Sequence, residues 1–432
     1  MIGTGVFTSL GFQVGGLPSG FAILVLWILG GVCALCGALC YGELGAALPR
    51  SGGEYHFLGR TLHPIVGFLA GWLSATIGFA APIALASMAL GKYAEGLGIW
   101  GVASAVPLHF GVPQIVGLAI VVLLTLIHLW GLRLGALFQN IATVLKLVLI
   151  VVVVVAGFCV THVEPVRFLP TRADASLLTT APFAVSLVYV MYAYSGWNAA
   201  TYIVGEIRDP TRNVPRALII GTALVSVLYV ALNVVFLRTT PITALQGKVE
   251  VGLIAGEHIF GATGGKIVGG FICLGLIASI SAMTWIGPRV TATMGEDLRA
   301  LRWLAVTRAG DVPKIALLAQ LAVVALLILT STFEIILVYV QFGLTLFSFL
   351  TVLGMVVLRW RQPELPRPFR TPGYPFTPLV FLTISGWMLW HIANDKPGES
   401  LAGLATVAAG LVVYFISPKS ASSAPQASSS RL

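Results

Sequence analysis

Apolar residues run along the chain in blocks of about 20, separated by short charged or Pro/Gly-rich breaks, and about 20 residues is what a helix needs to cross the hydrocarbon core of a bilayer. The blocks fall near residues 20–48, 64–91, 113–130, 139–160, 182–204, 217–237, 265–288, 313–331, 333–358, 376–391 and 400–417, after a short apolar start. They predict eleven membrane-spanning helices. Amides inside a bilayer need partners within the segment, and runs this long provide them as helices, whereas a barrel strand would need only about ten residues. Arg359 to Pro378 holds six prolines and four arginines and reads as a stiff connector before two accessory helices. The chain thus divides into a core, 1–358, the connector and accessory pair, 359–417, and a tail, 418–432, whose Ser, Ala and Pro predict disorder.

Composition agrees that the solvent is lipid. The 432 residues are 57% hydrophobic and 9% charged, against roughly 25% charge in ordinary soluble domains, and the mean hydropathy is +0.95. The net charge of +9 does not indicate nucleic acid, because the Lys and Arg are scattered between apolar blocks and form no basic face. Alternating the loops across the membrane places eighteen of the 25 Lys and Arg on one side, Arg50, Arg208, Arg302, Arg359 and Lys419 among them. By the positive-inside rule that side is cytoplasmic, which puts the C-terminus there and the chain in the cell membrane, the inner one in a bacterium.

No enzyme chemistry suggests itself: the sequence has no His/Glu pair at helical spacing, no nucleophile elbow and no Walker-type phosphate loop. Cys33, Cys36 and Cys40 share a helical face, but no His or acid sits beside them, and small residues on such a face serve close helix packing. Neither a metal nor a cofactor is expected.

Two apolar segments are poor helix interiors. One is Ile2-Gly3-Thr4-Gly5-Val6-Phe7; the other, in the 182–204 block, is Tyr192-Ala193-Tyr194-Ser195-Gly196-Trp197-Asn198. Each begins its own half of the core, about 1–160 and 182–358, and paired Gly-interrupted helices in corresponding halves are the sequence pointer to a transporter's binding site. Unwinding a helix in the membrane frees amides that can meet a carboxylate and carbonyls that can accept from an ammonium. A zwitterionic amino acid carries both groups. Taken singly, Gly3, Gly5 or Gly196 would also suit plain helix packing.

The opening residues, MIGTGVFTSLGFQVGGLPSG, are too short to span. Were they half of a broken helix, the chain would start at the bilayer midplane with a costly α-ammonium. The expectation is that an upstream half-helix belongs before Met1, and that without it residues 1–432 transport poorly. The alternative is a short extracellular tail, which no Lys or Arg before Arg50 opposes.

Four stretches in order, IGTGVF, YGELGAALPRSGGEYHFLGR (Tyr41 to Arg60), YSGWNAATYIVGEIRDPTRNVPRAL (Tyr194 to Leu218) and GPRVTATMGED (Gly287 to Asp297), resemble the amino acid–polyamine–organocation superfamily, in particular bacterial amino acid permeases related to the L-type amino acid transporters. The resemblance covers nearly the whole chain. It implies an all-α polytopic fold of the leucine-transporter type, with two inverted five-helix repeats and two extra C-terminal helices, here lacking the first half of helix 1. It implies that the amides of Gly3, Thr4 and Gly5 meet the substrate carboxylate and that carbonyls of Met1, Tyr192 and Ser195 meet its ammonium. An aromatic lid would fall on Tyr192, beside Gly196, and the side-chain pocket near Asn198.

Lys146, low in its span, could snorkel to headgroups, but related carriers place a lysine at this point in the role of the sodium ion of sodium-coupled members. Ser279 and Ser281 would be its partners on the eighth helix. A buried lysine loses its proton readily, so proton coupling and sodium-independent exchange against a second amino acid are both open. Glu43 and Glu206, and with them Arg50, Glu54 and Arg60, are gate or salt-bridge candidates that would equally suit a solvated loop, and His128 reads as a packed histidine. With no acid foreseen near Asn198, a neutral cargo of small to medium size is expected. The related eukaryotic carriers attach a heavy chain through a cysteine after the third helix. Lys92 to Pro113 contains none, so no covalent partner is expected. A membrane sensor would be expected to carry a soluble signalling domain and a channel a continuous polar stripe, and neither is visible here.

Overall fold

The computed structural model describes residues 1–99, 111–130, 135–161, 163–297, 304 and 313–416, and over these it is helical. Residues 100–110, within the stretch considered for a covalent partner, and the tail from 417 lie outside the described residues. Among the described residues nine helices are long and apolar enough to cross a membrane. They are α2 (Gly20–Ala47), the combined α4 (Pro64–Leu73) and α5 (Ala80–Gly96), α6 (Val112–Leu129), α7 (Gly135–Cys159), α10 (Pro210–Thr239), α12 (Val251–Asp297), α14 (Phe333–Arg361), α15 (Phe376–Asp395) and α16 (Pro397–Ile416). The two remaining expected spans are a 17-residue helix, α13 (Lys314–Thr330), and the block 182–204, which breaks.

The broken block supplies α9 (Ala181–Tyr194), an irregular stretch at Ser195 to Asn198, and a 3₁₀ helix, Ala199–Glu206. Its counterpart is α1 (Gly5–Gln13), which begins after the irregular residues 1–4. Both short helices are mostly apolar and largely buried, and the polar side chains of α1 are bonded inside the bundle: Ser9 donates to the Tyr189 carbonyl and Gln13 accepts from the Trp27 indole. They cross in contact: a β-carbon added to Gly5 would lie 2.3 Å from the Ala193 Cα, so only glycine permits this approach. Around them stand α2, α10, α12 and α14, whereas α6, α7 and α16 turn Leu, Ile and Val outward, Val144 and Ile141 among them, as lipid-facing helices do.

Three irregularities lay beyond the reach of hydropathy. The span at 64–91 contains a π-turn at Ser74–Gly78 between α4 and α5. The helix α12, which holds the 265–288 block, folds back on itself at Gly261, where φ is 75°, so that Gly256 and Gly265 face each other. A short helix, α3 (Glu54–Thr61), lies between α2 and α4.

The two ends of the bundle close differently. At one, Phe12 is stacked between Tyr189 and Phe333, with ring centroids 5.3 and 5.6 Å apart, and the Tyr189 hydroxyl donates to Glu334, which also accepts from Lys396 at 3.1 Å. At the other, the connector folds over the end of α2. Glu43, 2% exposed, accepts from Arg359 and from the Thr371 backbone and hydroxyl, and lies 3.4 Å from the Arg367 guanidinium.

Candidate functional site

The two breaks leave peptide groups with nothing to bond. A helix start has donors and a helix end has acceptors without intrahelical partners. Among the described residues the amides of Thr4 and Gly5 have no acceptor, and the carbonyls of Ala193, Tyr194 and Ser195 accept from no donor. The Met1 and Tyr192 carbonyls already accept one bond each, from the Tyr229 hydroxyl at 2.9 Å and the Ser195 amide at 3.0 Å. Each oxygen retains a second lone pair. The Thr4 hydroxyl lies beside the phenol of Tyr192. Gly196 has φ 83°, a conformation glycine adopts without cost, and a β-carbon there would lie 3.4 Å from the Met1 nitrogen.

Lys146 spans from α7 to this point. Its Nζ donates to the Ile2 carbonyl at 3.1 Å and to the Ser279 hydroxyl at 2.8 Å, and its stem lies along Gly275, which has no side chain to obstruct it. The lysine thus ties the irregular start of α1 to α12. Ser281 points elsewhere: its hydroxyl is 3.1 Å from His128 Nε2 on α6. Glu206, largely exposed, lies 3.9 Å from Arg289, whose guanidinium stacks 3.4 Å over the Trp285 ring.

These groups border a cavity of about 450 Å³, lined by Gly3, Thr4, Gly5, Lys146, Tyr192 and Ser279 among others, and extending between the start of α7 at Gln139 and α10 at Ala217. A second cavity of about 90 Å³ shares Ser195, Gly196 and Trp197 with the first. Phe79, Trp197 and Phe381 form its apolar wall, and Asn198, Tyr202, Gln341 and Ser348 supply polar groups. The pair suits a small zwitterion with a side chain: peptide dipoles at one chamber, a mixed pocket opening from it. Such backbone exposure at membrane depth occurs where it lines a cavity.

The model of the family described as "Amino acid permease" matches residues 1–425. The chain belongs to the amino acid permease family. Along 96% of its length this permease is similar to curated transporters: 27% identical to the rat b(0,+)-type amino acid transporter 1, with 84% of that protein covered. It is 28% identical to the mouse Asc-type amino acid transporter 1 and 27% identical to the mouse large neutral amino acids transporter small subunit 2, each with 78% covered. It is a multi-pass membrane transporter, not an enzyme, and its cargo class is amino acids.

The permease also assembles a group around Glu54, which the sequence leaves open between a gate or salt bridge and a solvated loop. Glu54 is 2% exposed. Its Oε1 accepts from the Tyr41 hydroxyl at 2.7 Å, Ser348 at 3.0 Å and Asn198 Nδ2 at 3.2 Å, and its Oε2 accepts from the Tyr202 hydroxyl at 3.2 Å. Burial raises this carboxyl above its ordinary value, while the four donors pull it down. The only signal in the sequence was Gly52-Gly53 before it: Gly53 has φ 52°, and a β-carbon there would meet the Tyr202 ring at 2.6 Å. The expectation that no acid stands near Asn198 is overturned: the Glu54 carboxylate lies 3.2 Å from that amide, brought there by α3, an element hydropathy did not reveal.

Proposed function

We propose that this permease carries neutral amino acids across the cell membrane by alternating access and without sodium, gripping the zwitterion between the α1 and α9 breaks. The observation that carries the reading is Lys146, whose ammonium ties the Ile2 carbonyl to Ser279 at the edge of the larger cavity. A fixed cation there does what a bound ion would do: it neutralises carbonyl dipoles and joins two helices that belong to different halves of the core. The unpartnered amides of Thr4 and Gly5 then take the carboxylate, and the Ala193, Tyr194 and Ser195 carbonyls take the ammonium. Gly3 provides close approach, Tyr192 covers the substrate, and Gly196 and Asn198 direct its side chain toward the smaller cavity.

In this reading the halves 1–160 and 182–358 are inverted repeats, and Glu206 with Arg289 forms an exposed contact that breaks and remakes as access alternates. The connector and the C-terminus lie on the cytoplasmic side, where the excess of Lys and Arg places them. The large neutral amino acids transporter among the relatives supports the neutral cargo.

Purified permease in proteoliposomes tests this. Uptake of labelled neutral amino acid should be equal in sodium and in choline, should rise when unlabelled amino acid is loaded inside, and should fall about tenfold or more in Lys146→Ala. Sodium-dependent uptake, or uptake indifferent to Lys146, would refute the proposed coupling.

A further inference from the structure

We propose that the accessory helix α15 belongs to the substrate site, where Phe381 and Ser385 close the deep wall of the smaller cavity and set the largest side chain the permease accepts. The proposal deepens the proposed function and rests on its placement of the zwitterion between the two breaks, with the side chain entering that cavity.

The sequence sets α15 apart, beyond a proline-rich connector, yet along one stripe the helix packs as part of the core. Pro378, Phe381, Ser385, Met388 and Ile392 recur at the three- and four-residue spacing of a helix face and are buried, whereas Leu379 and Trp390 are 57% and 69% exposed. The stripe lies against α2 and α9. The Ser385 hydroxyl is 3.8 Å from the Cys33 sulfur, and the Phe381 ring meets Trp197 edge to face, with centroids 6.1 Å apart and planes at 71°.

Trp197 stands in the irregular stretch that follows α9, so this contact joins α15 to the break itself. Gly37 on α2 leaves room for both rings: a β-carbon there would lie 2.8 Å from Phe381 Cε2 and from Trp197 Cη2. Tyr41 backs the indole from another side, edge to face at 4.7 Å. Enclosed in this way and 1% exposed, Phe381 has no free space to swing into.

The smaller cavity shares Pro82, Ser195, Gly196, Trp197 and Met283 with the larger one, and these form its mouth. Phe381 and Ser385 belong to the part that is not shared. A substrate side chain that passes the mouth therefore ends against a wall that α15 helps to build. The cavity's volume of about 90 Å³ is roughly six to nine times what one water needs. That suits a side chain the size of leucine's and falls short of the tryptophan indole. Met283 and Leu344 also line the cavity, but they are only half-buried and can adapt, whereas an enclosed aromatic ring resists added atoms.

Equilibrium binding of labelled L-leucine to the purified chain, with L-tryptophan and L-alanine as competitors, tests the proposal. In the wild type leucine should be favoured over tryptophan about tenfold or more. Phe381→Ala removes the ring and should lower that ratio about tenfold. Ser385→Leu pushes the wall inward and should lower binding of leucine relative to alanine by a similar factor. Leu379→Ala, on the exposed side of the same helix, should leave both ratios unchanged. Because each ratio is taken on one preparation, loss of folded protein cancels. A wild type that binds tryptophan as well as leucine overturns the proposal, as do ratios unchanged in both Phe381→Ala and Ser385→Leu, or moved as far by Leu379→Ala. Each of these outcomes leaves amino acid transport standing. If none of the three amino acids binds, the zwitterion site itself fails, since alanine asks nothing of the smaller cavity.

Discussion

Glu43 and Glu54 stand eleven positions apart, at the same end of the bundle and with the same 2% exposure, yet they are used in opposite ways. Glu43 faces two guanidiniums, those of Arg359 and Arg367, and the Thr371 amide and hydroxyl, so its charge is matched and its lone pairs are filled. Its work is mechanical: it fastens the connector across the end of α2. Glu54 meets only neutral donors, two phenols, a serine and an amide. Its charge is not cancelled but spread over four neutral donors, three of which, Asn198, Tyr202 and Ser348, also line the smaller cavity. The difference shows that burial alone does not assign a carboxylate its role; the identity of the donors does.

The comparison breaks most visibly at Glu43. Removing one member of a buried, hydrogen-bonded ion pair leaves an uncompensated charge and costs about 3–5 kcal/mol. Glu43→Ala should accordingly lower the thermal midpoint of the purified permease by the largest amount of any variant here, and limited proteolysis should open the connector between residues 362 and 375. A loss below about 1 kcal/mol would mean that the connector is held by its prolines and not by the carboxylate. Glu54→Ala should cost less, about 2 kcal/mol, since its stranded donors lie beside a cavity where water can satisfy some of them. Equal losses at the two positions would erase the distinction drawn between them.

How much of this was legible in the chain depends on the range of the interaction. Transmembrane helices need about 20 apolar residues in succession, a local property, so the spans at 20–48, 113–130 and 333–358 lie within a few residues of α2, α6 and α14. The breaks were legible for the same reason, since glycine beside small polar residues weakens a helix wherever it occurs. Lys146 also stood out as a charge inside an apolar run. Apart from Tyr41, 13 positions from Glu54, the partners of Glu43 and Glu54 did not, because they come from 316, 328, 144 and 294 positions away and no periodicity marks them. The π-turn at Ser74–Gly78 and the reversal at Gly261 were likewise invisible, since both sit in sequence that hydropathy reads as continuous helix.

Within the Glu54 cluster the phenols should rank by geometry. Tyr41 is fully buried and donates at 2.7 Å, so Tyr41→Phe should cost about 1.5 kcal/mol, in the range for a bond to a charged acceptor. Tyr202 donates at 3.2 Å and borders the cavity, so Tyr202→Phe should cost about half as much and alter substrate preference more than stability. The reverse order, read by thermal unfolding, would show that Tyr202 and not Tyr41 anchors the carboxylate.

The smallest effect on stability belongs to the third acidic residue considered for this end, Glu206. Its contact with Arg289 is 3.9 Å long between side chains that are 57% and 38% exposed, and exposed pairs of this kind contribute about 0–1 kcal/mol. Glu206→Gln should leave the thermal midpoint within about 0.5 kcal/mol of the wild type. If the contact breaks and remakes during alternating access, the same variant should still change the exchange rate measured by counterflow, because a weak contact made in one access state shifts a population without stabilising the fold. A variant that unfolds early would place Glu206 with Glu43 as a structural tie, and one that changes neither midpoint nor rate would reduce it to a solvated surface charge.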